Sequence, residues 1–264
     1  MIKKNLADAC VCEIFFVPLP PILCIYEDEY MKIALIGYGR MGHMIEQIAL
    51  ERGHQIVARI DIDNRYDMDS PAFADADVAI EFTTPQTARQ NVLDAWKRGV
   101  SVVCGSTGWD AQSFIKEQTE NGRLKNVGLI WSSNFSLGVN ILFAMNRRLA
   151  QLLQPYPAYT PHITEVHHVH KLDAPSGTAV SLAEQIVESQ KTASLKDKSQ
   201  IPIESIREGE VPGIHTVTWD SEIDTITLSH SAKSRQGFAL GAVIAAEWLK
   251  GKTGAHSMAE VLGI

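Results

Sequence analysis

The chain is 264 residues long, with 45% hydrophobic and 21% charged residues and a formal net charge of −7. That composition excludes global disorder and supplies enough apolar side chains for one large domain or two modest ones. The acidic balance gives no general electrostatic reason to bind nucleic acid or an anionic membrane, and neither partner is expected.

Residues 1–30 differ in character from the rest. Cys10, Cys12 and Cys24 all fall there, so the bulk of the chain keeps only Cys104 and cannot close an internal disulfide. This usage suits a reducing cytoplasm. The apolar stretch at 14–26 is broken by Pro18, Pro20 and Pro21. It is too short to span a bilayer and lacks the unbroken apolar run of a signal peptide. The expectation is a disordered extension with Met31 as the functional start; the alternative is a weak export or anchoring signal.

From residue 31 the chain alternates. Residues 31–36 form an apolar run ending in Gly37, the pattern of a buried parallel strand. A helical pattern covers about 41–52, and a second strand covers 55–60 and ends at Asp61. A polar linker at 63–77 leads to a strand at 78–82, and Pro85 sits at the first turn of a helix running to about 98. Further strands are predicted at 101–104 and 128–131. Strands alternating with helices specify a doubly wound parallel α/β sheet. The pattern then changes to a long amphipathic helix at 139–153, a strand at 163–170 and a helix at 176–190. Three extended stretches follow, at about 203–207, 215–219 and 225–229, with antiparallel pairing expected. A helix of small and apolar residues at 237–249 returns to the first sheet. Residues 31–134 with 237–264 thus make one domain, and 135–236 an inserted α+β domain with a mainly antiparallel sheet.

Gly37-Tyr38-Gly39-Arg40-Met41-Gly42 reads G-x-G-x-x-G, following a strand and opening a helix. That context marks a Rossmann-type dinucleotide loop: the glycines permit the tight turn, close approach to a pyrophosphate and close helix–strand packing. The helix N-terminus offers free N–H groups and a positive dipole end to the phosphates. A glycine-rich turn without a ligand is the plainer alternative. Asp61 ends the second strand at the position where a carboxylate accepts the ribose hydroxyls of NAD and repels a 2′-phosphate. NADH preference follows, with NADPH use possible through Arg40 or Arg65; alternatively Asp61 is a turn residue and Asp63 does this work. Thr83-Thr84-Pro85 and Gly105-Ser106-Thr107-Gly108 lie just past strand C-termini, where ligands bind in open α/β sheets, although ordinary turns look the same.

His167-His168-Val169-His170-Lys171 is unusual. In an extended strand His167 and Lys171 share one face, pairing a group that titrates near neutrality with a permanent cation. Such a pair suits proton donation to an anionic substrate. Surface histidines on an edge strand are the competing reading. A metal centre is not expected, because no cysteine or second carboxylate stands at a typical ligand spacing. Asp173-Ala-Pro-Ser-Gly-Thr178 follows at once, with Ser176 or Thr178 able to cap the next helix and the Gly177 and Thr178 N–H groups able to bind a carboxylate.

The run from Glu165 to Ala179, EVHHVHKLDAPSGTA, closely resembles the signature of the 4-hydroxy-tetrahydrodipicolinate reductase (dihydrodipicolinate reductase) family. Residues 133–140, 209–217 and 234–239 resemble further family segments, and the likeness covers 31–264. The resemblance implies a Rossmann-type domain plus a substrate-binding and oligomerisation domain. It also implies NAD(P)H-dependent reduction of a small cyclic dicarboxylate, with loss of water, in lysine and diaminopimelate biosynthesis. By motif, His167 and Lys171 resemble the catalytic proton donors, His168 a substrate contact, and Gly177 and Thr178 the carboxylate cradle. Gly37 to Gly42, Asp61, Gly105, Ser106, Thr107, Ser132, Ser133, Asn134 and Phe135 resemble the cofactor site, and a homotetramer built through the second sheet is implied. The glycine loop is one residue shorter than in many members. An Asp stands where a Glu is common, and no Arg follows it directly. Two rivals remain at this point: another Rossmann-type amino-acid dehydrogenase, and a non-catalytic NAD-binding sensor.

Overall fold

The structure, a computed structural model, describes residues 30–190 and 197–264; all of the expected extension at 1–30 except Tyr30 lies outside the described residues. The first sheet is built from β1 (Lys32–Ile36), β2 (Gln55–Ile60), β3 (Val78–Glu81), β4 (Ser101–Cys104), β5 (Gly128–Trp131) and β10 (Gly254–His256). All six strands are parallel, in the order β10-β5-β4-β3-β1-β2. Helices cover both faces, so the central strands bury both sides and carry apolar runs instead of alternation. On one face lie α2 (Pro71–Ala74), α3 (Pro85–Lys97) and α4 (Ala111–Glu120), with Phe73, Trp96 and Phe114 in the core. On the other lie α1 (Arg40–Glu51) and α7 (Gln236–Leu249), which bury Ile45, Ala49, Ala242, Val243 and Ala246. The small residues of α7 allow a close seat: a Cβ on Gly241 would fall 1.8 Å from the Phe135 carbonyl oxygen. The chain ends with β10 and α8 (Met258–Leu262).

The second sheet has the order β7-β6-β8-β9 and comprises β6 (Thr160–His167), β7 (Ile203–Arg207), β8 (Ile214–Asp220) and β9 (Thr225–Ser231). β6–β8 and β8–β9 pair antiparallel, whereas β6–β7 pairs parallel. The sheet is thus mainly antiparallel, as expected. Its inner face packs on α5 (Leu137–Leu153) and α6 (Gly177–Ser189) around Leu142, Ile163, Leu182, Ile186, Val217 and Trp219.

Six elements differ from the sequence reading. The linker at 63–77 contains a 3-10 helix, Ile62–Asp69, opened by a reciprocal Asp61–Asn64 capping box, and the short α2. α4 was not predicted; its buried residues are Ala111, Phe114 and Gln118, too sparse a stripe among polar neighbours to stand out. β10 and α8 are three and five residues long, below the length at which periodicity is readable. β6 stops at His167 instead of residue 170. There the Glu208 N–H donates to the His167 carbonyl, and the Lys171 N–H closes a turn on the His168 carbonyl.

Candidate active site

The glycine loop separates three geometric demands. Gly37 has φ +93°, and a Cβ there would lie 2.2 Å from the Phe82 carbonyl oxygen. A Cβ on Gly42 would lie 2.4 Å from the Gly37 carbonyl oxygen, so this glycine lets α1 sit against the turn. A Cβ on Gly39 would meet nothing within 4 Å. Gly39 is also the N-cap of α1, with no side-chain cap and no acidic residue in the first turn. The loop therefore leaves open space beside unsatisfied helix N–H groups, which fits a pyrophosphate.

A pocket of about 460 Å³ runs from Gly37 and Gly39 past Asp61 to Thr83, Thr84 and Asn91. Asp61 is exposed at its rim, and one of its carboxylate oxygens accepts the Ile62 N–H at 2.9 Å. Arg65 also lines the pocket, but its guanidinium donates to Asn91 Oδ1 at 2.8 Å and Asp94 Oδ2 at 2.6 Å. Behind the pocket the fully buried Glu81 accepts the Cys104 thiol at 3.0 Å, the Thr83 N–H and hydroxyl, and Asn91 Nδ2. Burial, reinforced by the Glu81 charge, pushes the Cys104 thiol well up and leaves it unreactive.

Several expected cofactor residues turn their side chains elsewhere. Tyr38 donates its hydroxyl to Glu46 and packs its ring on His43. Ser106 is buried; its hydroxyl accepts the Thr83 N–H at 2.8 Å and its carbonyl accepts the Trp109 and Trp131 indole N–H groups. Gly105 is a glycine because a Cβ there would strike the Phe82 ring. Phe135 is a core residue, with its ring centroid 5.9 Å from that of Phe82. Ser132 donates to the Asn134 carbonyl and shapes that turn. Arg40 is exposed on the first turn of α1.

A second cleft of about 490 Å³ lies between the two sheets. Met41, Thr107, Ser133 and Asn134 line it from the first sheet's side. His167, His168, Lys171, Gly177 and Thr178 line it from the other. His167 and Lys171 are thus brought together by a turn, not by a shared strand face. Lys171 Nζ contacts the Asp173 carboxylate at 2.7 and 2.9 Å. Arg207 Nη2 donates to the Asp173 carbonyl at 2.6 Å and ties this turn to β7. Asn134 Nδ2 donates to Thr178 Oγ1 at 3.3 Å, joining the cleft's two walls. Ser176 caps α6 through the Ala179 N–H, leaving the Gly177 and Thr178 positions at the cleft.

The inner face of the second sheet is apolar at Ile163, Val217 and Leu228 and becomes polar toward the cleft. Glu165 pairs across the strands with His215, and His215 with His230. Glu165 is fully buried and accepts Ser176 N, Ser205 Oγ and Arg207 Nη2. Burial opposes its charge, and these donors outweigh burial and hold the carboxyl below its usual range. Burial lowers His167, opposed by Glu165 and aided by Lys171 and Arg207. Burial, together with the neighbouring His167, lowers His215 to about 4. The sequence reading gave Glu165, Arg207, His215 and Arg235 no role, yet Glu165 and Arg207 anchor the site while His215 and Arg235 line it. Glu165, His167 and His215 bring potential metal ligands within 4.8 Å of one another. Both carboxylate oxygens already accept from Ser176, Ser205 and Arg207, so Glu165 is committed to the protein's own donors.

A glycine-cradled helix N-terminus, an acidic strand end and an adjoining cleft with histidine and lysine define a nicotinamide-dependent oxidoreductase of the Rossmann class. Comparison with known proteins narrows this. Residues 31–135 match the family model described as dihydrodipicolinate reductase, N-terminus, and residues 138–262 match the corresponding C-terminus. The 4-hydroxy-tetrahydrodipicolinate reductase of Christiangramia forsetii is 47% identical over 88% of this chain and 98% of its own length. That of Neisseria meningitidis is 30% identical over 89% and 98%. A dipicolinate-bound dihydrodipicolinate reductase from Paenisporosarcina sp. TG-14 shares the fold with a TM-score of 0.71, at 22% identity over 88% of this chain and 98% of that one. The chain belongs to the dihydrodipicolinate reductase family, as its signature run indicated. The activity that goes with membership is reduction of 4-hydroxy-tetrahydrodipicolinate, in lysine and diaminopimelate biosynthesis.

Proposed function

We propose that the cleft between the sheets is where this reduction takes place, with His167 as the proton donor and Lys171 as the second proton donor and carboxylate partner. The observation that carries this reading is the convergence of His167, Lys171 and the start of α6 on one cleft wall, opposite Thr107, Ser133 and Asn134. In the net reaction the ring gains a hydride and a proton and loses one water. Bound dihydronicotinamide supplies the hydride. The protein's share is to hold a dicarboxylate and deliver the proton. The Gly177 and Thr178 N–H groups donate to one carboxylate at the α6 N-terminus, His168 contacts the substrate, and Lys171 exchanges Asp173 for a substrate carboxylate. His167 is lowered by burial, and a dianion beside it favours the imidazolium, so the proton is taken up with the substrate.

The cofactor sits along Gly37 to Gly42, Asp61, Gly105 to Thr107 and Ser132 to Phe135, with the last two segments contributing mainly backbone. NADH is the preferred form, because Asp61 repels a 2′-phosphate and Arg65 is occupied by Asp94. Arg40 leaves NADPH usable. Residues 31–134 with 237–264 act as the dinucleotide-binding domain and 135–236 as the substrate and oligomerisation domain. The outward face of β9, with Thr225, Thr227 and Ser229 exposed, supports a homotetramer built through this sheet. Among the described residues no helix is long and apolar enough to cross a membrane; the biosynthetic role and the cysteine usage support a cytoplasmic enzyme. Initial rates on freshly generated substrate test the cofactor reading: kcat/KM is expected to be higher with NADH than with NADPH. A strong preference for NADPH would contradict it.

A further inference from the structure

Glu165 is fully buried, two residues before His167 on the same face of β6, and takes no part in the chemistry above. Its Oε1 accepts the Ser176 N–H at 3.0 Å, Ser205 Oγ at 2.8 Å and Arg207 Nη2 at 3.3 Å. Its Oε2 lies 3.2 Å from the same Ser176 nitrogen and 3.5 Å from His167 Nδ1. That Nδ1 is closed off from solvent and makes no hydrogen bond among the described residues, and Glu165 Oε2 is the carboxylate oxygen beside it. His167 Nε2 lies instead against Gly213 at the cleft, where an added Cβ would come within 3.1 Å of it. His215 Nε2, 3.8 Å from Oε2, is engaged by Ser176 Oγ at 3.2 Å. A buried carboxylate is costly and persists only where it is paired and hydrogen-bonded. Here its donors are the N-cap of the helix proposed to cradle the substrate, Ser205 and Arg207, and the proposed acid of the reaction lies 3.5 Å away.

We propose that Glu165 is a positioning residue for the reduction: its one carboxylate holds the Nδ1–H tautomer of His167 and the first turn of α6 in a single frame, so that proton donor and carboxylate cradle meet the substrate in fixed register. This rests on His167 being the donor. In the step itself the Nε2–H bond breaks and a bond from that hydrogen to the reduced ring forms. The two electrons of the reduction arrive with the hydride. His167 is left neutral, with Nδ1–H beside Glu165, and regains its proton from solvent through the cleft. The charged and titratable groups around His167 are Glu165 on its own strand, Arg207 on β7, His215 on β8, His230 beyond it on β9, and Lys171 and Asp173 on the adjoining turn. Lys171 and Arg207 disfavour the imidazolium, and Glu165 is the buried charge that favours it.

The test compares wild type, Glu165→Gln, Glu165→Ala and His167→Gln in full pH profiles at saturating NADH. Gln keeps an oxygen for the Ser176 N–H, so the substrate KM of Glu165→Gln should stay within about twofold while kcat falls about tenfold or more. Its kcat limb for the proton donor should move to lower pH by about one unit. Glu165→Ala should lose kcat and raise KM together. Wild-type kcat and pH limb in Glu165→Gln, beside an inactive His167→Gln, would overturn the role of Glu165 alone. Full turnover in His167→Gln would overturn the underlying site reading and this role with it. Because a Gln variant can fail to fold, imidazole nitrogen NMR of wild-type enzyme gives a second measurement. Neutral His167 is expected as the Nδ1–H tautomer, and the Nε2–H tautomer would contradict the proposal.

Discussion

A methyl group added to Gly42 would sit 2.4 Å from a backbone oxygen, whereas one added to Gly39 would meet nothing. These two glycines of one loop therefore answer to different demands: Gly42 to packing, and Gly39, under the proposed function, to the cofactor. Gly42→Ala should destabilise by about 1–3 kcal/mol through overpacking, seen as a lower Tm. Gly39→Ala should melt close to wild type yet bind NADH about tenfold more weakly, measured by fluorescence titration. Equal Tm losses would show that Gly39 is also a packing residue. At this scale the loop and the signature run were readable because each lies in one continuous stretch. The joint role of Glu165, Arg207 and His215 was not, because strand pairing brings them together from distant parts of the chain. Phe135 and Ser106 show the converse: both lie in segments marked by resemblance, and their side chains serve the core and a turn.

At the scale of elements, the second sheet carries its chemistry at one end. Ile163, Glu165 and His167 alternate on one face of β6, so the strand's sidedness was legible from period two. Its end was not. The turn at 168–171 is closed by backbone bonds to the 208–209 segment, and nothing in a run of histidines reveals them. The polar end has a consequence for stability. Burial lowers both His167 and His215, the latter to about 4, so below the ordinary histidine range the unfolded chain binds protons that the folded chain refuses. Stability should therefore be complete above about pH 6.5 and fall on acidification toward pH 4, by up to about 1.4 kcal/mol per pH unit for each such histidine. Glu165 acts in a separate window, because its lowered carboxyl loses its contribution only below the usual carboxylate range. Denaturant unfolding of His215→Gln between pH 7 and 4.5 should show a flatter pH dependence than wild type. An unchanged slope would mean that His215 does not stay neutral in the fold.

Across the whole molecule, the order of elements places Met41 of the glycine loop and the His167–Lys171 turn around one cleft. The chain leaves the first sheet after β5, builds the second sheet with α5 and α6, and returns through α7 beneath Phe135. The Asn134–Thr178 bond spans the gap between the two sets of elements. This architecture was legible from the switch between strand–helix alternation and clustered strands. The parallel β6–β7 pair was not, since sequence patterning does not report which neighbour a strand takes. The central claim is that the cleft between the sheets reduces the substrate with protons from His167 and Lys171. Its most direct test is the steady-state turnover of His167→Gln and Lys171→Ala, at matched Tm and with NADH and 4-hydroxy-tetrahydrodipicolinate. We predict kcat losses of about 100-fold or more for each variant, with NADH affinity unchanged; wild-type turnover in both would contradict the account.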